Sequence, residues 1–329
     1  MQKKVLVTFL SVAAACLLVL SPAVAAADQA TAQTVTAKPA LEFRFDGIVY
    51  AGPAPEAAAT GAQRLSRFSV KLYGAYNYLA AGDINAGSAG YLDLFELYAA
   101  GGYGTSTGGY KPMHGGYDFG ADIIYQITPR IGVGVGAGYL KSSRSSAMSF
   151  TESTATVTAG AKPTVSAVPV RLGLFYDRPL STKLSLIAGL GGTWYAGLKM
   201  DSHTRLEDSS SNWETIDITG SRSSLANLGF HGSLGLEYKL SQRIGFFAEA
   251  FGRYARLKNF DSVTVDVIRS EDSPYSSSGK LYIYRITLPE GTADMFEIPT
   301  VPPAETDPVR EPKIDLSGFS LQLGVRIRL

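Results

Sequence analysis

The sequence predicts an all-β protein: an eight-stranded antiparallel up-and-down transmembrane barrel with long extracellular loops and short periplasmic turns. Three observations carry that expectation. Apolar residues alternate with polar or small ones in eight separate stretches, the period of a strand with one apolar face. The connections between these stretches alternate between short and long, as in bacterial membrane barrels, whereas a soluble antiparallel barrel has no reason to sort its loops. Charged residues make up only 18% of the 329-residue chain, against about 25% in an ordinary soluble domain. After residue 27 no run of about 20 apolar residues remains, so a helical span is excluded. The 30 Lys plus Arg against 29 Asp plus Glu leave a net charge of +1, which removes the bulk electrostatic case for a nucleic-acid partner. Three His and one Cys are too few for a structural zinc site or a disulfide framework, and neither metal nor cofactor is expected.

Residues 1–27 have the form of a secretory signal. Lys3 and Lys4 give the charged start, Val5 to Leu20 the apolar stretch, and Ser21 and Pro22 break it. Ala25 and Ala27 make a small-residue cleavage site with Asp28 as the first mature residue; a cut after Ala25 also fits. Cys16 is followed by apolar Leu17 to Leu20, the wrong context for lipidation. Residues 28–66, rich in Ala, Thr and Pro, are expected to form a flexible N-terminal periplasmic extension, with one alternating stretch at Leu41 to Tyr50. The barrel is then assigned to 67–329.

The first strand, Phe68 to Leu79, sets Phe68, Val70, Leu72, Tyr76 and Tyr78 against Ser69, Lys71, Tyr73 and Asn77. The second, Gly115 to Ile127, opposes Tyr117, Phe119, Ile123 and Tyr125 to Asp118, Asp122 and Gln126. The third, Ile131 to Leu140, alternates apolar residues with glycines 132, 134, 136 and 138, which leave room for Tyr73, Tyr195, Phe247 and Phe251. The fourth runs from Val168 to Asp177. The fifth, Leu184 to Met200, places Leu186, Ala188, Leu190, Trp194 and Leu198 on one face. The sixth spans Leu228 to Leu240, the seventh Ile244 to Leu257 and the eighth Phe319 to Leu329. Turns near 129, 180 and 242 are short, whereas 80–113, 142–166, 201–224 and 258–315 are long. Aromatic residues near the strand ends suit a lipid interface. Val263 to Ile268 and Leu281 to Leu288 also alternate and could raise the count to ten. Their apolar stripes are short beside the about 9 to 11 residues of a spanning strand, so they are assigned to a protruding hairpin.

These features resemble the small outer-membrane barrels of the OmpA, OmpX and OmpW kind, over about 67–329. Gln322, Gly324, Ile327 and Leu329 match the spacing of the C-terminal assembly signal of such proteins, with Leu329 where family members usually carry an aromatic. The turn stretches Ile127 to Arg130 and Leu240 to Arg243 are similar too. The resemblance implies export to the outer membrane and insertion by the barrel-assembly machinery. No cell-wall-binding domain follows, so tethering is not implied.

An eight-stranded barrel has an interior just wide enough for side chains to fill. The non-lipid faces carry Lys71, Asp118, Asp122, Arg171, Glu237, Glu249, Arg253, Arg326 and Arg328, charges that are tolerable only when paired. Counted from the short-turn end, Lys71 stands level with Asp122 and Glu249 with Arg326, so these pairs are expected to plug the lumen. A narrow solute channel is the alternative. An enzyme is the remote one: His231, Ser233 and Glu237 are an acyl-transfer set, but Glu237 lies about 13 Å along the strand from Ser233. Asp201 with His203 faintly matches surface-protease pairs. No catalysis is expected. The expected role is structural or surface-interacting, for a monomer in contact with outer-membrane lipid and lipopolysaccharide, with the long loops as the place for a surface ligand.

Overall fold

A computed structural model describes residues 67–222, 226–258, 260, 262–270, 272–298 and 309–329, together with a backbone pairing in the first 66 residues. That pairing joins β1 (Arg44–Phe45) to β2 (Ile48–Val49). The signal, the extension and most of Leu41 to Tyr50 lie outside the described residues. Residues 1–66 and 67–329 are separate units.

The second unit is antiparallel β-structure with one helix among the described residues. Eight of its strands coincide with the alternating stretches: β3 (Phe68–Gly82), β5 (Gly115–Gln126), β6 (Ile131–Ser143), β8 (Ala155–Pro179), β9 (Leu184–Asp208), β11 (Leu228–Lys239), β12 (Ile244–Tyr254) and β19 (Ile314–Arg328). They pair in the order β9, β11, β12, β19, β3, β5, β6, β8, and a long register between β8 and β9 returns the path to its start. The strand count nevertheless exceeds eight, because the sheet holds fourteen strands.

The additional strands correct the expectation of long loops. Strands β8 and β9 are 25 residues each, about 80 Å of extended chain, more than twice the about 9–11 residues that a bilayer core requires. Their upper halves pair with β7 (Ser146–Glu152) and β10 (Trp213–Arg222); β4 (Thr105–Gly109) extends the sheet beyond β7, and β14 (Val263–Arg269) with β15 (Tyr275–Gly279) beyond β10. The expected hairpin does not form: Val263 to Ile268 pairs with β10 and β15, and β16 (Tyr282–Leu288) pairs instead with β17 (Gly291–Glu297) and β18 (Val309–Arg310). Strand β12 stops at Tyr254, and Arg256–Leu257 form a separate short β13 against β19. The proline-bearing stretch 299–308 lies outside the described residues.

Segment 80–113 contains a helix that the sequence reading missed, α1 (Asp83–Ala100). Ala81 (φ 58°) and Gly82 (φ 63°) swing the chain from β3 into it. It buries Ile84, Ser88, Ala89, Gly90 and Leu92. Its glycines are contact surfaces: a Cβ on Gly87 would lie 2.5 Å from the Phe296 ring, and one on Gly90 2.5 Å from Met295 Cγ.

In β9 the structure also corrects one face assignment. Gly197 (φ 54°) is an extra residue opposite β8, where Ser166 pairs with Lys199 and Val168 with Ala196. This bulge reverses the alternation, so Leu198 turns inward and is buried rather than sharing a face with Leu190. Leu198 joins a large apolar core with Leu79, Met113, Leu140, Met200, Phe260 and Leu316. That core fills the upper part of the interior.

Candidate functional site

Below the apolar core, the inward positions of the eight paired strands carry charge. Alternation puts Lys71 and Tyr73 of β3, Asp118 and Asp122 of β5, Arg171 of β8, Glu237 of β11, Glu249 and Arg253 of β12 and Arg326 of β19 on the same enclosed side, all buried. The structure brings every one of the expected lumen charges into an ion pair. Lys71 Nζ meets the Glu249 carboxylate. Arg171 Nη2 donates to Asp122 Oδ1 at 2.9 Å and to the Tyr73 hydroxyl at 2.5 Å. Arg253 reaches Asp118 at 3.4 Å and donates to Asn77 Oδ1 at 2.5 Å, while the Tyr73 hydroxyl donates to Asp118 at 3.3 Å. Arg326 spans to Asp177 at 3.0 Å and Glu237 at 3.2 Å, and Arg328 donates to Glu237 at 2.5 Å. These bonds cross the interior: β19 and β8 lie four steps apart in the pairing order.

The partners differ from those expected. Lys71 and Asp122 are register partners, yet their charges go elsewhere, to Glu249 and Arg171. Glu249 stands opposite Gln322, and Arg326 opposite Gly245, so the Glu249–Arg326 pair does not form. Strands that surround an interior tilt against its axis, and a long side chain then meets one displaced along a strand two or more places away. Asp177, Tyr73 and Asn77 complete the network. The spacing 171, 173, 175, 177 on β8 would have marked Asp177 as inward.

Room for these pairs comes from glycine. Asp122, Gly136 and Arg171 form one row across β5, β6 and β8, and a Cβ on Gly136 would collide with the Asp122 carboxylate. Gly138 makes space for the Tyr73 hydroxyl, as expected; Phe247 instead lies over Gly324, Tyr195 beside Gly229, and Gly134 faces Phe175. Aromatic rings close the gaps: Lys71 Nζ sits 4.6 Å from the Phe247 ring centroid and Arg171 4.5 Å from that of Tyr73.

Of the four residues matching the assembly signal, Gln322 and Gly324 face inward on β19, while Ile327 pairs with Val70 and Ile244 and Leu329 is exposed. In the acyl-transfer set, His231 Nδ1 is 2.8 Å from Thr193 Oγ1, its ring stacks on Phe251 at 5.3 Å, and Glu237 is held by Arg326 and Arg328. His203 pairs with Asp217 at 2.6 Å rather than with Asp201.

The outer faces of the same strands are the inverse. Leu172, Leu174, Phe119, Ile123, Phe230, Leu236, Phe246, Leu321 and Leu323 are all exposed.

No family model matches the chain, and no curated protein matches it. Among solved structures, the outer membrane protein OprG from Pseudomonas aeruginosa is similar at 9% sequence identity and a TM-score of 0.35, covering 80% of this chain and 97% of that one.

Proposed function

We propose that this chain is an outer-membrane β-barrel with a structural or surface-interaction role, its lumen plugged by side chains. One observation carries the reading: over their lower parts the eight paired strands turn most of their charges inward and expose their apolar side chains. Leu172 is 69% exposed while Arg171 beside it is 5% exposed. In water that arrangement forfeits the hydrophobic driving force and adds desolvation of charge; in a bilayer both faces are satisfied. The lower interior is crossed by ion pairs and rings and the upper one is filled by an apolar core, which favours a plug over a pore. Glu237 and His231 are committed to structural bonds, which favours a non-catalytic role. The raised sheet and α1 above the band offer the surface for a ligand. Lipopolysaccharide, outer-membrane phospholipid and the barrel-assembly machinery are the partners this reading requires, for a monomer.

A narrow channel is the second reading, favoured by the buried Gln322 amide, which makes no hydrogen bond and borders a small cavity lined by Lys71, Asp122, Arg171, His231 and Ser233. Planar-bilayer recording separates the two. The plugged barrel is silent, and Glu249→Lys, which sets two cations against each other, raises conductance. Steady conductance of the unaltered protein, or an unchanged trace for the variant, refutes the plug.

A further inference from the structure

The short turns repeat one pattern: aliphatic, Ser or Thr, any residue, Lys or Arg, aliphatic, at residues 127–131, 180–184 and 240–244. Each hydroxyl oxygen accepts two backbone N–H groups. Thr128 takes those of Arg130 (3.2 Å) and Ile131 (2.9 Å), Ser181 those of Lys183 (3.3 Å) and Leu184 (3.1 Å), and Ser241 those of Arg243 (3.2 Å) and Ile244 (3.1 Å). Such side-chain-to-backbone bonds fix the turn.

The basic residue of each turn is then held by the next strand. The Arg130 carbonyl accepts from Asp177 N–H at 2.8 Å, that of Lys183 from Lys239 at 2.7 Å and that of Arg243 from Arg328 at 2.7 Å. The seam between β19 and β3 has the same bond, Arg67 accepting from Gln126 at 2.7 Å. Four cations therefore occupy equivalent positions, one for every two strands of the eight.

All four are exposed, and none has an ion pair among the described residues. The acids of this end, Asp177 and Glu237, are turned inward onto Arg326 and Arg328. What faces outward is positive. The cations border exposed Phe68, Ile127, Leu180, Leu240 and Ile244, so each sits a residue or so from the apolar band, at headgroup depth for a chain that spans a bilayer.

We infer that this rim binds the phosphate groups of anionic phospholipids in the leaflet on the short-turn side. The inference rests on the membrane reading above. A guanidinium matches phosphate oxygens with two parallel N–H bonds, and an ammonium matches them as a point charge. The apolar neighbours favour a lipid over a soluble polyanion.

The test folds the full chain into vesicles of equal parts phosphatidylcholine and phosphatidylglycerol. The protein is then released in mild detergent, and the retained lipids are identified by native mass spectrometry. The unaltered protein keeps phosphatidylglycerol over phosphatidylcholine. The triple variant Arg130→Gln, Lys183→Gln, Arg243→Gln loses that preference by roughly fivefold per charge removed. A control carrying Lys111→Gln, Lys162→Gln and Lys258→Gln, all above the band, keeps it, and heat-dependent gel mobility shows that each variant has folded. Equal retention of the two lipids, or an unchanged preference in the rim variant, overturns the inference. So does a rim variant that loses binding to soluble peptidoglycan fragments while its lipid preference stays intact. A chain that stays folded in the aqueous supernatant, with no heat-dependent shift, refutes the membrane reading itself and takes the lipid rim with it.

Discussion

Gly136 shows how much a single hydrogen in place of a side chain decides. It separates Asp122 from Arg171 in one row, and the ion pair passes over it. An alanine there forces the Asp122 carboxylate off its partner inside a packed interior, and overpacking of this kind costs about 1–3 kcal/mol. Gly74 is the control, because nothing lies within 4 Å of an added Cβ. Gly136→Ala is therefore expected to lower the urea midpoint of the detergent-folded protein, whereas Gly74→Ala leaves it nearly unchanged. Equal midpoints would separate the glycine from the ion pair. The lumen charges were legible in the sequence because alternation fixes which face a residue takes. Their partners were not, because partner choice depends on strand tilt and on side-chain reach across the interior, and no spacing along one strand encodes either.

At the scale of elements, the strand stretches were readable wherever one face is apolar, and the short turns as the brief breaks between two such stretches. The helix α1 was not. Its segment, 80–113, is glycine-rich as a whole, which gives it the composition of a loop, but within α1 the only glycines are Gly87 and Gly90, and those are small because Phe296 and Met295 press against them. The extensions of β8 and β9 escaped for a different reason: they do alternate, but several of their inward residues are small or polar, such as Ala159, Ala161, Ser202 and Thr204, so no large apolar stripe marks them. This cap carries its own electrostatics. Arg285 donates to Asp294 at 2.7 Å, and with Arg310 it holds that carboxyl below its ordinary pKa. Arg310 also donates to Asp83 at 2.5 Å, tying α1 to β18. Asp93 is shifted the other way, raised by burial and then by Glu96 and Asp294. The signs oppose each other. An acid with a raised pKa destabilises the fold when ionised, so acidification from neutrality relieves Asp93 first; the Asp294 contribution is lost only as pH falls through its depressed pKa. Hydrogen-exchange protection factors in α1 and β17, which remove the intrinsic pH dependence of amide exchange, should therefore rise on mild acidification and fall again at strong acidity. Asp93→Asn should remove the first change and leave the second. A monotonic loss of protection from neutral pH downward would contradict the assignment.

For the whole molecule, the distribution of polarity separates two storeys of one sheet. Around the upper storey the interior is apolar, as in a protein folding in water, and Leu79, Leu198 and Leu316 are wholly buried. Around the lower storey the interior is ionic and the exterior apolar. A single substitution tests which solvent the lower exterior meets. Leu172 is 69% exposed and points away from the ion pairs, so in water Leu172→Arg removes no packing and stays within about 0.5 kcal/mol, as surface changes do. Against hydrocarbon the same arginine costs about 2–4 kcal/mol near the midplane, falling toward the interfaces. The effect should therefore appear in unfolding from vesicles and grade with depth: large for Leu172→Arg, and small for Leu240→Arg at the short-turn rim, although Leu240 is similarly exposed. Exposure alone would rank the two alike. Depth in a bilayer ranks them apart, and equal small losses at both positions would mean that water, not lipid, surrounds these strands.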